Sequence, residues 1–220
     1  MNMLLIENLA ILACSVIGFL SGIRYLKLRK VIFAGMIVQG VICFSLGRLF
    51  QCGLLWTGGS LTEYFHLGYL GAMGAFAYFF SANYGTIDSL VDSGGKEFRK
   101  YRIISSASAV YVLAMMLSIL LSPAVLAFKI SSTVVCWIIG AACYFHITHL
   151  LIPDVDYGVV RCLRPFNALA VALSVFAMLE MTALAWDQQV LLYISGIGLC
   201  VVTLLLVPVM KRGVKKWLTT

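Results

Sequence analysis

Residues 190–210 read VLLYISGIGLCVVTLLLVPVM, and residues 211–216 read KRGVKK. The first stretch contains no Asp, Glu, Lys or Arg, whereas the second contains four basic side chains. A helix needs roughly 20 mostly apolar residues to cross the hydrocarbon of a bilayer. Short basic segments beside such helices stay on the cytoplasmic side. The C-terminal part of the chain therefore predicts a transmembrane helix with a cytoplasmic end.

The whole chain has the composition of a membrane protein. Its 220 residues are 62% hydrophobic and 11% charged, and the mean hydropathy is +1.00. Soluble domains carry about 25% charged residues. The charge-free stretches predict an all-α, polytopic membrane protein, with residues 1–220 forming a single transmembrane domain of seven helices. The predicted spans lie near residues 3–23, 31–51, 63–86, 104–124, 130–150, 166–186 and 190–210, and the four prolines fall near span ends.

The basic residues predict the orientation of this bundle. Fourteen of the 16 Lys and Arg residues follow spans 1, 3, 5 and 7, which all end on the same face. By the positive-inside rule, the N terminus lies outside and the C terminus in the cytoplasm, in an inner (cytoplasmic) or plasma membrane. The net charge of +7 is thereby explained by topology, so no nucleic-acid partner is predicted. The 14 residues are Arg24, Lys27, Arg29, Lys30, Lys96, Arg99, Lys100, Arg102, Arg161, Arg164, Lys211, Arg212, Lys215 and Lys216.

Six polar residues lie toward the outer ends of three spans. Because an ionised side chain near the bilayer centre costs at least ~2.5 kcal/mol, such residues usually face the interior of a bundle. Their shared depth predicts an outward-facing vestibule that binds a small molecule. Acidic residues outnumber basic ones at this level, which favours a cationic or zwitterionic ligand. The residues are Arg48 and Gln51 on span 2, Glu63 and His66 on span 3, and Glu180 and Asp187 on span 6.

The same residues fit a purely structural interpretation. Arg48 pairs in that case with Glu180 or Glu63, and the other polar groups lie at the membrane interface. A helical turn of 100° per residue also predicts a polar face along the whole of span 3. That face would contain Glu63, His66, Ser81, Tyr84 and Asp88.

A second polar group lies at the inner side of the bundle. It consists of Asp88, His146, His149 and Asp154, and Asn83 arrives there from span 3. The His-x-x-His spacing puts two imidazoles on one helical face, but the third histidine lies near the other side of the membrane. No complete metal ligand set and no bis-histidine haem pair is therefore predicted, although metal binding by His146 and His149 is left open.

Retinal is not expected either. The helix count and the outside N terminus are similar to those of rhodopsins and of seven-helix sensory regions in bacterial signalling proteins. A retinal pigment needs a buried lysine for its Schiff base, and residues 190–210 contain none. No cofactor is predicted.

These patterns favour a receptor-like or sensory membrane protein. The bilayer and a small-molecule ligand are the predicted partners, and a separate cytoplasmic or membrane protein would carry the signal. The alternative is a small oligomeric transporter that moves a metabolite or ion through the bundle. A homodimer is left open, because Gly18-x-x-x-Gly22 is a helix-packing motif that also serves within one bundle. An enzyme is not favoured, since the sequence offers no convincing nucleophile with a base and no complete metal set.

Overall fold

The computed structural model describes residues 3–26, 32–85, 95–153 and 158–219. All regular structure within these ranges is helical. Two short 3-10 turns, Ile23–Leu26 and Lys96–Phe98, accompany eight α-helices. The helices are α1 (Met3–Gly22), α2 (Ile32–Trp56), α3 (Leu67–Asn83), α4 (Arg99–Ser105), α5 (Ala107–Leu121), α6 (Leu126–Leu151), α7 (Val159–Ala185) and α8 (Gln189–Thr219).

Six helical segments are long and apolar enough to cross a membrane. They are Met3–Leu26, Ile32–Trp56, Lys96–Leu121, Leu126–Leu151, Val159–Ala185 and Gln189–Leu218. The predicted helical membrane bundle is therefore confirmed, and the protein is an integral membrane protein. Helix α3 has only 17 residues and is not among the six, so the count of seven spans stays a prediction.

Six of the helices form a closed ring. Packing contacts run from α1 to α2, α2 to α3, α3 to α6, α6 to α7, α7 to α8, and from α8 back to α1. In this order α2 and α7 lie on opposite sides of the ring. Helix α5 lies outside the ring, where it packs against α6 and α7. The main core fills the ring with side chains such as Phe76, Phe79, Ile139 and Leu173, all almost fully buried.

Several predicted span ends were wrong. Residues 63–66 are not helical, and His66 caps the N terminus of α3 with an extended backbone (φ −139°, ψ 166°). The predicted polar face of span 3 therefore loses Glu63 and His66, and Asp88 lies outside the described residues. Pro165 and Pro208 lie inside α7 and α8, which extend beyond the apolar stretches. Charged residues end the apolar part of a helix, but they do not end the helix itself, because Lys and Arg are good helix formers.

Glycines allow the backbones of neighbouring helices to touch. On α3, a Cβ added at Gly71 would lie 2.5 Å from Gly47 Cα and 2.7 Å from the Cys43 carbonyl oxygen, both on α2. On α1, a Cβ added at Gly18 would lie 2.5 Å from the Thr203 carbonyl oxygen of α8. Lipid gives no hydrophobic force between helices, so close backbone packing is a main source of association. The small-residue motifs thus serve contacts within the bundle.

We expect Gly71→Ala to destabilise the protein by about 1–3 kcal/mol, because the new methyl group forces α2 and α3 apart. The change would appear as a lower thermal unfolding temperature in detergent. Gly53→Ala on α2 is the matched control, since a Cβ there meets no atom within 4 Å. It should leave stability unchanged or raise it slightly. Equal effects of the two substitutions would contradict a backbone contact at Gly71.

Candidate functional site

A bidentate ion pair joins the two opposite sides of the ring. Arg48 Nη1 and Nη2 of α2 donate to Glu180 Oε1 and Oε2 of α7, each at 2.5 Å. The Arg48 and Glu180 side chains are only 7% and 6% exposed, so the pair is shielded from solvent. The prediction that Arg48 pairs with a carboxylate of span 3 or span 6 is confirmed, and the partner is Glu180. Bidentate pairing gives the contact directional specificity as well as strength.

Further groups hold the Arg48 guanidinium in place. Nη1 also donates to Asn8 Oδ1 of α1 at 3.0 Å, and the guanidinium carbon lies 4.9 Å from the Phe44 ring centroid. Asn8 is fully buried, and its own Nδ2 donates to the Leu4 carbonyl oxygen. Three helices therefore converge on one guanidinium. This arrangement satisfies donors that would otherwise be costly in a region without water.

A second carboxylate lies within electrostatic range of this pair. Glu7 of α1 interacts with both Glu180 and Arg48, and its carboxylate packs against Gly196 of α8. Glu7 Oε1 is buried and has no hydrogen-bond partner among the residues that the structure describes. Counted as ionised groups, the one guanidinium and the two carboxylates have a formal excess of one negative charge.

A small cavity of about 40 Å³ lies beside the ion pair, between α2, α3, α6 and α7. Arg48, Gln51 and Glu180 supply its polar wall. Tyr69 and Phe128 are among its aromatic and apolar residues. One water needs roughly 10–15 Å³, so the space holds a few waters at most. Three of the six residues predicted for the outer vestibule thus line one cavity.

The other three predicted vestibule residues lie elsewhere, near the same end of the bundle. Glu63 and Asp187 are exposed and do not line this cavity. Asp187 adopts a left-handed backbone (φ 51°) and accepts a hydrogen bond from Gln189 Nε2 at 3.2 Å. His66 is buried, but its Nδ1 accepts from the Gly68 backbone N–H at 3.1 Å. The role of all six residues in ligand binding remains a prediction.

Burial lowers the pKa of His66 below its usual value, and a contact between Nε2 and the Leu61 carbonyl oxygen partly offsets this effect. The imidazole ring also packs 4.4 Å from the Tyr69 ring centroid and 5.9 Å from that of Phe50. Because a neutral His66 is favoured, its Nδ1 remains available as the acceptor that caps α3. His66 therefore has a clear structural role in forming the start of this helix.

A buried amide and imidazole layer lies toward the other side of the bundle. His146 Nδ1 of α6 lies 2.6 Å from Asn83 Nδ2 of α3 and 2.9 Å from Asn167 Oδ1 of α7. Asn83 Nδ2 also donates to Asn167 Oδ1 at 3.2 Å. All three residues are essentially fully buried. His146 Nε2 and Asn83 Oδ1 have no hydrogen-bond partner within the described ranges.

The predicted inner site is only partly described. His149 is buried one turn from His146, whereas Asp88 and Asp154 lie outside the described residues. Within the part of the chain that the structure describes, no three His, Cys, Asp or Glu residues come together as a metal site would require. The structure adds Asn167 to this inner group of polar residues. Neither Asn167 nor Asn8 was predicted from the sequence. Both are amides inside long apolar stretches, and a polar residue in such a stretch indicates a buried polar contact.

An apolar layer separates the two polar layers. Glu180 and Asn167 both lie on α7, and a separation of 13 residues corresponds to roughly 20 Å along a helix axis. Phe79, Ile139 and Leu173 are among the almost fully buried side chains of the core between them.

No protein-family model, curated protein or solved structure matches this chain.

We expect Glu180→Gln to destabilise the protein by about 3–5 kcal/mol, because it leaves the buried Arg48 charge without its partner. Arg48→Met should do the same by orphaning Glu180. The double variant should be more stable than the sum of the two losses predicts, since it leaves neither charge behind. Thermal unfolding in detergent measures all three. Glu63→Gln, which removes an exposed carboxylate, is the control and should have little effect. Additive losses from the two single variants would argue against the coupling.

Proposed function

We propose that the protein is a membrane receptor for a small zwitterionic or cationic molecule, which binds in the cavity beside Arg48 and Glu180. The observation that carries this proposal is the buried ion pair itself, lying against a cavity and joining opposite helices. A zwitterion presents the same two charges as the pair. Its carboxylate can replace Glu180 at the Arg48 guanidinium, while its ammonium group replaces Arg48 at the Glu180 carboxylate. Each protein charge thus keeps an opposite partner when the ligand binds.

The charges around the cavity favour a ligand with a positive group. Glu7 adds a second carboxylate near the pair, and one of its oxygens has no hydrogen-bond partner among the described residues. An ammonium group carries three donors and can contact more than one carboxylate. A purely anionic ligand would instead add to the existing negative excess. This is why the ligand should be zwitterionic or cationic rather than acidic.

The small size of the cavity links binding to a conformational change. A space of about 40 Å³ holds waters but not a metabolite, so a ligand must separate the pair in order to enter. Separating Arg48 from Glu180 removes a direct tie between α2 and α7. A ligand that binds only the separated arrangement shifts the population toward it. In the proposed receptor, a partner protein reads this helix movement.

Transport is the second candidate for the same site, since both layers of polar groups lie in the interior of the ring. It is less well supported, because a substrate would have to cross the apolar layer around Phe79, Ile139 and Leu173. Transport therefore needs an opening of the core that a receptor does not need. Uptake measurements distinguish the two functions.

The proposal includes a topology of seven spans with the N terminus outside and the C terminus in the cytoplasm. Helix α3 would be the additional span, because it packs between α2 and α6 in the ring. With seven crossings the basic segments around residues 99–102 and 211–216 lie on the same, cytoplasmic side.

Reporter tags test this topology directly. A tag placed after Thr220 should be cytoplasmic, and a tag inserted between Gly58 and Gly59, in the turn before α3, should be external. Accessibility to a membrane-impermeant reagent measures both positions in intact cells. Two tags on the same side would contradict seven crossings, and exchange of the two sides would overturn the orientation.

Ligand binding can be tested with a panel of amino acids, betaines and primary amines. A compound that binds the folded protein at a hundredfold excess over its Kd raises stability by about 2.7 kcal/mol, which a thermal shift assay detects. Gln51→Leu should weaken this stabilisation, because it changes the cavity wall and leaves the ion pair intact. Glu63→Gln, at an exposed site, is the matched control and should retain it.

Uptake of each hit into sealed liposomes then separates the functions. A receptor should bind without uptake. Uptake that depends on Glu180 would support the transporter instead. Stabilisation that is unchanged by both Gln51→Leu and Glu180→Gln would mean that the cavity is not the binding site.

A further inference from the structure

A groove runs between α5 and α6 on the outside of the helix ring. Its volume is about 300 Å³, at the lower end of the range for small-molecule sites. The walls are almost entirely apolar, and small residues leave space for an occupant. The α5 side includes Ala109 and Leu113, and the α6 side includes Trp137, Gly140 and Tyr144. This surface faces the lipid rather than the interior of the bundle.

Trp137 is unusual in this position. Its side chain is 61% exposed, and it lies eight residues after Lys129, roughly 12 Å further along the helix. Tryptophan is enriched at the membrane interface, where its ring is in an apolar setting and its N–H reaches polar groups. An exposed Trp at the depth of the hydrocarbon therefore distinguishes this surface from the usual lipid-facing surface of a transmembrane helix.

The groove leads toward a basic segment. Ser106 and Tyr144 lie at the end of the groove nearest to α4. Arg99 and Lys100 lie on α4, about two helical turns before Ser106, and both are exposed. The short segment 96–102 contains four basic residues and the single acidic residue Glu97. Residues 99, 102, 106, 109 and 113 follow one another at spacings of three and four, which is the pattern of one helical face.

We propose that this groove binds an anionic phospholipid, with one acyl chain along α5 and α6 and the headgroup at Arg99 and Lys100. The apolar walls suit the chain, while the basic segment suits the phosphate. Basic sites beside transmembrane helices on the cytoplasmic side are well placed for anionic headgroups. The proposal concerns a different surface from the outer cavity, so it does not depend on the receptor function.

A second copy of the chain fits this surface less well. A two-fold axis along the membrane normal would bring the same face of both copies together. The basic segments at residues 96–102 would then face each other at equal depth, and like charges in proximity oppose association. A phospholipid neutralises the same charges.

The test measures Trp137 fluorescence in vesicles that contain lipid with brominated acyl chains, which quench only at short range. Brominated phosphatidylglycerol and brominated phosphatidylcholine are compared in the same phosphatidylcholine background. The difference between wild type and Trp137→Phe isolates the signal of this residue. The anionic lipid should quench it at a mole fraction on the order of tenfold lower than the zwitterionic lipid does.

Two double variants identify the headgroup contact. Arg99→Gln/Lys100→Gln should abolish the preference for the anionic lipid, whereas Arg212→Gln/Lys215→Gln, with the same change in charge on α8, should retain it. The wild-type comparison stands even if a variant fails to fold. Equal quenching by both lipids would overturn the proposal, because the groove would then be filled by bulk lipid only. Weak quenching by both lipids, together with crosslinking of two chains through this face, would assign the groove to a second copy.

Discussion

The contact between Arg48 and Glu180 is the constraint on which the arrangement of the bundle depends. Neither charge can remain alone in a region without water, and the pair spans the ring from α2 to α7. Asn8 brings α1 to the same guanidinium. A different order of helices would separate these groups and leave a charge unpaired. A buried pair of this kind does little to increase stability relative to apolar residues, but it strongly penalises alternative packings.

Glycines set the distance between neighbouring helices, whereas the ion pair joins helices on opposite sides of the ring. At Gly47 and Gly71 the backbones of α2 and α3 meet, and at Gly18 the backbone of α1 meets that of α8. Because lipid contacts are as apolar as those between helices, such close packing is what distinguishes neighbours from lipid. The ring is therefore held together by one ion pair across its interior and by several close backbone contacts between neighbouring helices.

The sequence was sufficient to predict the apolar helices and the pairing of Arg48, since both follow from the cost of placing charge in hydrocarbon. It was insufficient for the outer part of span 3, where an assumed helical period put Glu63 and His66 on one face. His66 instead accepts a hydrogen bond from Gly68 and begins the helix. Neither Asn8 nor Asn167 was predicted to take part in a polar contact. Their partners depend on the order of helices in the ring, which no periodicity within one helix encodes.

Helix α7 connects the two polar layers. It contributes Glu180 to the ion pair with Arg48 and Asn167 to the contact with His146 and Asn83. Pro165 lies two residues before Asn167, where it removes one backbone hydrogen bond and gives the helix a natural point of bending. In the proposed receptor, a ligand that releases Glu180 from Arg48 frees the C-terminal part of α7. The amides around His146 are coupled to that movement, because α7 contributes a residue to both layers and the apolar side chains between them are closely packed.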